Sequence, residues 1–430
     1  MLFEKNVDGF LSAMVVRYSV KKIEETERGG IMESFNFLLF LAIILISTKI
    51  FGLFTRKIKM PQVVGALVAG VILGPSVLNL IQMESDGNFL SYMAEIGVIL
   101  LMFCAGLETD LGELKENGVA SFIVATCGVI VPLVGGFAAY ALYFHLDVTD
   151  YKEFLRALFV GVVLTATSVS ITVETLRELG HLKGKVGATI LGAAIIDDIL
   201  GIIVLTIVTS LEDTSVNPAV VFGKIALYFV AIAVLWFVLS KLKPLIEKKD
   251  NLRRTAIVSL SFCFLMAYAS EVFFGIADIT GAYFAGLMLC SMKIESYVER
   301  RVSIASYLIF SPVFFASIGM KTKLDGLTGS LIVFSLILLL IAILSKVIGC
   351  GLGAKLCKYT NKESLQIGVG MISRGEVALI VAQKGYQAGM LSDDLFAPIV
   401  LVVIVTTLIT PILLGMVFKD KGTKEEQATA

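Results

Sequence analysis

Two adjacent carboxylates, Asp197 and Asp198, lie near the middle of a long apolar stretch that runs from Gly187 to Leu205. A helix of about 20 apolar residues is long enough to cross the hydrocarbon core of a bilayer. An ionised Asp at that depth costs roughly 2.5–3.5 kcal/mol, so a pair of them requires a reason to be there. We expect the pair to bind an ion or protons in transit. The alternative is a pair of structural acids that neighbouring groups neutralise.

Consecutive residues of a helix point about 100° apart, so the two aspartates cannot chelate one ion symmetrically. We expect one to face the cation and the other to face a fixed charge. The candidate fixed charges are Lys346, deep in a later apolar segment, and Arg374. A buried lysine can lose its proton when a cation takes its carboxylate partner, so Lys346 is either a second proton carrier or half of a permanent structural ion pair. Arg cannot realistically release a proton, so Arg374 is expected to form a structural charge network with Glu376 and Glu174.

Two apolar segments are interrupted near their middle by residues that disfavour a continuous membrane helix. One carries TATSVS at 165–170, including Thr167 and Ser168, and the other carries GMISRGE at 370–376. An unwound turn exposes carbonyls and half-helix ends that can ligate a desolvated cation. The alternative is that the hydroxyls bond back within an unbroken helix. We predict a break in both segments.

The composition indicates a polytopic α-helical membrane protein. Of 430 residues, 57% are hydrophobic and only 17% are charged, whereas a soluble protein carries about 25% charged residues. The sequence has no run of basic residues of the kind that binds nucleic acid. We expect the protein to lie in the lipid bilayer, to need no cofactor and to have no enzymatic activity. The candidate spans are 34–54, 61–81, 89–107, 118–144, 154–178, 185–210, 218–240, 254–272, 274–292, 302–320, 329–356, 364–386 and 394–418.

The charges of the connecting loops predict an orientation. Odd-numbered connections carry most of the Lys and Arg residues, and the even-numbered ones carry few, chiefly Lys152, Lys321 and Lys323. The positive-inside rule then puts the N-terminus outside and the C-terminus in the cytosol, in the cytoplasmic membrane. Residues 1–33 are expected to be an N-terminal extension outside the membrane or an artefact of the start site, with translation beginning at Met32. Residues 419–430 are expected to be a short cytosolic tail.

An internal repeat relates the two halves of the chain. GALVAGVIL at 65–73 matches GAYFAGLML at 281–289, and FCAGLETDL at 103–111 matches ASIGMKTKL at 316–324, with offsets of 216 and 213. The matching spans are seven apart, so they run in opposite directions across the membrane. Inverted repeats are the architecture of secondary transporters, whose substrate site lies near the midplane between them. The same spacing of seven spans pairs the two interrupted segments.

These residues resemble bacterial sodium/proton antiporters of the second cation:proton antiporter family, close to its NapA- and Kef-like membrane domains. The resemblance rests on the Asp pair and on motifs at 61–75, 97–111, 165–172 and 370–382, in order over residues 34–418. It implies an all-α fold of about 13 transmembrane helices in two inverted repeats with two crossed, broken helices (the NhaA/NapA-like antiporter fold). It also implies a homodimer with a mobile core (about 118–210 and 329–418), a scaffold (about 34–107 and 254–320) and a linker helix (about 218–240).

The same resemblance implies a role for each site residue. Asp198 corresponds to the aspartate that binds Na⁺, Asp197 to the second carboxylate of the site, paired with Lys346, and Thr167 and Ser168 lie at the crossover of the broken helix. The implied function is electrogenic, elevator-type exchange of Na⁺, Li⁺ or K⁺ for protons. The residues do not fix the cation or the stoichiometry. Alternatives are a Kef-type K⁺/H⁺ efflux antiporter without its regulatory domain, a cation channel and an intramembrane aspartyl protease.

Overall fold

The computed structural model describes residues 37–57, 60–81, 89–147, 149–212, 218–247, 252–321, 329–387 and 389–419. All regular secondary structure in these ranges is helical. The predicted N-terminal extension, with its start at Met32, lies outside the described residues, as does the tail after residue 419. The helices are α1 (Phe37–Lys57), α2 (Gln62–Leu73), α3 (Phe89–Glu108), α4 (Leu111–Tyr143), α5 (Tyr151–Thr165), α6 (Val169–Glu178), α7 (Lys185–Glu212), α8 (Pro218–Glu247), α9 (Leu252–Ala269), α10 (Asp278–Leu289), α11 (Glu295–Ala305), α12 (Ser311–Met320), α13 (Gly329–Leu356), α14 (Asn361–Gly370), α15 (Glu376–Gln387) and α16 (Asp393–Val417).

Helices occupy all thirteen predicted spans. Ten helical stretches in the described ranges are long and apolar enough to cross a membrane, with α5 and α6 forming one and α11 and α12 another. The remaining three predicted spans are the 12-residue α2, the 12-residue α10 and the interrupted pair α14–α15. The chain is therefore a multi-pass membrane protein, and the predicted all-α class is confirmed.

Several predicted span boundaries differ from the helix ends by seven or eight residues, and the start of the fourth span shows why. The fourth span was expected to begin at residue 118, but α4 begins at Leu111. Asp110 caps the helix, because its carboxylate accepts hydrogen bonds from the amides of Gly112 and Glu113. A side-chain acceptor at this position satisfies amides that the first turn leaves without partners, so the helix extends through a polar turn that hydrophobicity alone excludes.

The repeat is visible in how the helices pack. The matched pairs are α2 with α10 and α3 with α12, and the structure packs α2 against α12 and α3 against α10. A twofold relation between the halves requires this exchange, because it maps one contact onto the other. The repeated glycines lie at both crossings: a Cβ at Gly70 would lie 2.0 Å from a carbonyl oxygen of α12, and a Cβ at Gly286 2.2 Å from one of α3. Small residues allow such close backbone approach in membrane helices.

The helices that carry the Asp pair and the interruptions form one packed group. Within it α4 contacts α5, α7 and α13, and α13 contacts α14 and α16. A second group joins α2, α3, α9, α10, α11 and α12. The short α6 contacts α7 and α16 of the first group and α2 and α3 of the second. The interruption that precedes α6 therefore lies between the packed interior of the first group and its boundary with the second.

Candidate functional site

Both predicted interruptions are breaks in the helices. The first membrane segment stops being helical after Thr165 and resumes at Val169, with Ser168 in an extended conformation at the start of α6. The second stops after Gly370 and resumes at Glu376. No residue of the described ranges between these bounds continues either helix. The alternative of hydroxyls bonding back within continuous helices is therefore wrong for these two segments.

The two breaks cross in direct contact. The amide of Ser168 donates a hydrogen bond of 2.7 Å to the carbonyl of Ser373. The Thr172 hydroxyl donates to the carbonyl of Gly370 at 2.8 Å. Gly375 makes the approach possible, since a Cβ there would lie 2.7 Å from the Ser168 hydroxyl oxygen. The freed backbone groups of each broken helix are thus satisfied partly by the other, as irregular backbone inside a membrane requires.

Arg374 binds the carbonyl groups that the two breaks expose. Its side chain is fully buried; Nη2 donates to the carbonyl of Leu164 and Nη1 to that of Ile372, both at 2.8 Å. Leu164 lies in the last turn of α5, and Ile372 follows the end of α14. A helix carries partial negative charge at its C-terminus, so one guanidinium stabilises two such ends. The Thr407 hydroxyl donates to the carbonyl of Arg374 itself.

The structure gives Glu174 different partners from those expected. Its carboxylate binds Nη1 of Arg177 at 3.1 Å and accepts a hydrogen bond from the Tyr307 hydroxyl. Arg177 in turn contacts the carboxylate of Glu108 at 3.2 Å. Arg374 bonds to backbone carbonyls instead, so the described contacts do not join it to Glu174. Glu376, the third member of the expected network, begins α15, and its side chain lies outside the described part of the structure.

Lys346 and Asp197 form a buried salt bridge between α13 and α7. The Lys346 ammonium nitrogen lies 3.1 Å and 3.3 Å from the two carboxylate oxygens, and the side chains are 0% and 1% exposed. Thr167, also buried, faces the same carboxylate without completing a hydrogen bond to it. The pair that the resemblance implied is therefore in contact, next to the crossing.

Asp198, the next residue of α7, is buried with 8% of its surface exposed. Because consecutive helical residues diverge by about 100°, its carboxylate does not share the direction of the Asp197 carboxylate. The site thus offers one carboxylate tied to a lysine and a second one directed elsewhere, beside two breaks rich in carbonyl and hydroxyl oxygens. Such groups can ligate a monovalent cation and carry protons.

Gly128 of α4 is a part of this site that the sequence did not reveal. A Cβ at this position would lie 2.6 Å from the sulfur of Cys350, 3.6 Å from the Lys346 nitrogen and 3.8 Å from Asp197 Oδ1. The salt bridge therefore lies against bare helix backbone. The sequence carries no local signal for this role, because it depends on how closely α4 approaches α13. Ser373, in contrast, lies within the GMISRGE run and could have been singled out there.

Comparisons with known proteins find similar sequences and a similar fold. Residues 14–420 match the family described as sodium/hydrogen exchanger, transmembrane. The chain is 42% identical over 398 residues to the Na⁺/H⁺-K⁺ antiporter GerN of Bacillus cereus, covering 91% of this chain and 99% of GerN. It is 37% identical over 386 residues to a Na⁺/H⁺ antiporter of Enterococcus hirae, covering 88% of this chain and 97% of the relative. Among solved structures, the sodium proton antiporter MjNhaP1 of Methanocaldococcus jannaschii at pH 8 shares the fold, with a TM-score of 0.66 at 19% identity over 89% of this chain and 97% of that chain.

Proposed function

Since the chain belongs to the sodium/hydrogen exchanger family, we propose that it exchanges a monovalent cation, Na⁺ or Li⁺ or K⁺, for protons across the cytoplasmic membrane. The observation that carries the proposal is the buried pair Asp197 and Asp198 beside two crossed helix breaks. The relatives are named as Na⁺/H⁺ and Na⁺/H⁺-K⁺ antiporters. Their names support the substrate class and leave the preferred cation of this chain to measurement.

In the proposed cycle, protons and the cation compete for Asp198. The Asp197–Lys346 salt bridge couples the movement of a second proton to cation binding. When the cation binds the Asp197 carboxylate, the Lys346 ammonium group loses its partner in a desolvated position, so its neutral form is favoured and it releases its proton. This makes the exchange electrogenic. An empty site with ionised carboxylates is costly to carry through hydrocarbon, so the cycle proceeds only with the site loaded and does not leak.

We assign alternating access to motion of the first helix group, α4–α7 and α13–α16, against the second. Support comes from the packing, because polar groups of α6 contact both α2 and α3 at the boundary. Glu178, at the end of α6, accepts hydrogen bonds from the amides of Gln62 (2.5 Å) and Val63 (3.1 Å) at the start of α2. Arg177 binds Glu108 of α3. Polar contacts of this kind can break and re-form as one body moves, whereas the close glycine crossings within each group hold its helices together. We assign the second group to the static scaffold of a homodimer.

The proposal is tested in proteoliposomes with a pH-sensitive dye, titrated with Na⁺, Li⁺ and K⁺ at clamped voltage. We expect saturable, strictly coupled proton flux that Asp198→Asn abolishes while the protein remains folded and inserted. Asp147→Asn makes the same change in an exposed loop and should leave the flux unchanged. Retained cation-dependent flux in Asp198→Asn would overturn the assignment of the site. A conductance that does not saturate and needs no exchange would indicate a channel.

A further inference from the structure

Ser373 carries a buried hydroxyl whose role the helix break does not explain. The residue is 0% exposed, and its hydroxyl oxygen has no hydrogen-bond partner in the part of the chain that the structure describes. Thr167, 1% exposed in the other break, also lacks a completed hydrogen bond, but its hydroxyl faces the Asp197 carboxylate. A buried hydroxyl left without a partner costs about 1–3 kcal/mol. Native proteins satisfy nearly all such groups, so the Ser373 hydroxyl indicates a partner that binds at the crossing.

The two hydroxyls belong to chain segments that are held against each other. The Ser373 carbonyl accepts the 2.7 Å hydrogen bond from Ser168, the residue after Thr167. Within a single residue, the carbonyl oxygen and the side-chain oxygen are at most about 5 Å apart by covalent geometry. Both hydroxyls therefore lie in the crossing, and Thr167 also faces the Asp197 carboxylate.

Ser373 does not make the hydrogen bond that a serine usually makes within a membrane helix. Ser commonly donates to the carbonyl four residues earlier in its own helix, but residues 371–375 are not helical. Two carbonyls near Ser373 already have donors: Ile372 accepts from Arg374, and Gly370 accepts from Thr172. A structural break could be made with alanine here, without the cost of a buried hydroxyl.

We infer that the Ser373 hydroxyl is a ligand of the transported cation, directly or through its bound water. The inference rests on the proposed function and deepens it: the second broken helix contributes a side-chain oxygen to the site and not only backbone. A hydroxyl offers two acceptor lone pairs at the depth where unwound segments coordinate monovalent cations. The cation then has oxygen ligands from both halves of the inverted repeat, so its binding stabilises the contact between the two breaks.

The test compares Ser373→Ala with Ser364→Ala in the same proteoliposome assay. Ser364 lies near the start of α14 and also has a buried hydroxyl oxygen without a partner among the described residues, so it is a matched control away from the crossing. We expect Ser373→Ala to raise the half-saturating Na⁺ concentration about five- to tenfold, the worth of one neutral hydrogen bond or ligand contact. The maximal rate should stay within about twofold, because Asp197, Asp198 and Lys346 are intact. Ser364→Ala should change neither.

A second variant and a binding measurement keep the test decisive if Ser373→Ala folds poorly. Ser373→Cys preserves the size of the side chain but replaces the hard oxygen with a softer sulfur, which is a poor ligand for Na⁺. It should also weaken Na⁺ affinity, and it should reduce the rise in melting temperature that added Na⁺ produces. Half-saturation equal to that of the parent in either variant overturns the inference, as does a loss of stability and rate with unchanged affinity. Absence of cation-dependent proton flux in the parent itself would instead refute the proposed function.

Discussion

The salt bridge between Lys346 and Asp197 gives a prediction whose size follows from the geometry. At a separation of 3.1 Å and an effective dielectric constant of about 20, the two charges attract by roughly 5 kcal/mol. Lys346→Met removes the charge at similar volume and leaves a buried carboxylate without its partner. Breaking a buried pair from one side costs about 3–5 kcal/mol, whereas replacing both partners is often neutral. We therefore expect Lys346→Met to be destabilised, and Lys346→Met/Asp197→Asn to recover most of the loss.

The assay is thermal unfolding of the purified protein in detergent, for the parent, both single variants and the double variant. With an unfolding entropy of about 2.1 cal/mol/K per residue over the chain, the single variants should melt roughly 3–6 °C below the parent. The loss for Lys346→Met should be largest at alkaline pH, where Asp197 is ionised, and smaller at acid pH, where it binds a proton. In liposomes the double variant should move fewer protons per cation. Single variants as stable as the parent, or losses that simply add in the double variant, would refute this account.

Two further predictions concern the neighbours of the site. Gly128→Ala should lower the free energy of unfolding by about 1–3 kcal/mol, because the added methyl group overpacks against the Cys350 sulfur. Adding Cys350→Ala to this variant should restore the free energy of unfolding. Gly118→Ala is the control on the same helix, since a Cβ at Gly118 has no atom within 4 Å. If Cys350→Ala does not restore stability, the contact with Cys350 is not the cause. Glu178→Ala should raise the rate of hydrogen–deuterium exchange at the first amides of α2, by about tenfold at Gln62. An unchanged exchange rate at Gln62 would contradict the capping role of Glu178.

The two breaks could be predicted from the sequence, but the partners of their charged residues could not. The runs at 165–170 and 370–376 are unlike the apolar helix around them, and local composition is enough to recognise an interruption. Arg374 bonds to the carbonyl of Leu164, which is 210 residues away along the chain. A backbone carbonyl is present at every position, so no residue type marks it as a partner. For Glu174, a local signal existed: Arg177 is three residues later on the same helix, a spacing at which side chains meet.

The charge pair shows the same division. Asp197 was assigned to Lys346 by resemblance, and the structure brings the two into contact. Gly128, which makes room for that contact, could not be identified, because glycines are common in membrane helices and only the approach of α4 to α13 gives this one its role. Likewise, the capped start of α4 at Asp110 was missed because hydrophobicity marks the membrane part of a helix and not its polar ends.

The sequence by itself determined that the chain spans a membrane many times, that it consists of two related halves, and that two acids are buried within it. These properties follow from length, apolar composition and periodicity, because hydrocarbon accepts only segments that satisfy their own backbone. The tertiary structure decided which oxygen, amide or charge each polar side chain meets. Those contacts join residues that are distant along the chain. Their strength changes when the distance between two atoms changes by a few tenths of an ångström, and only the packing of the helices sets that distance.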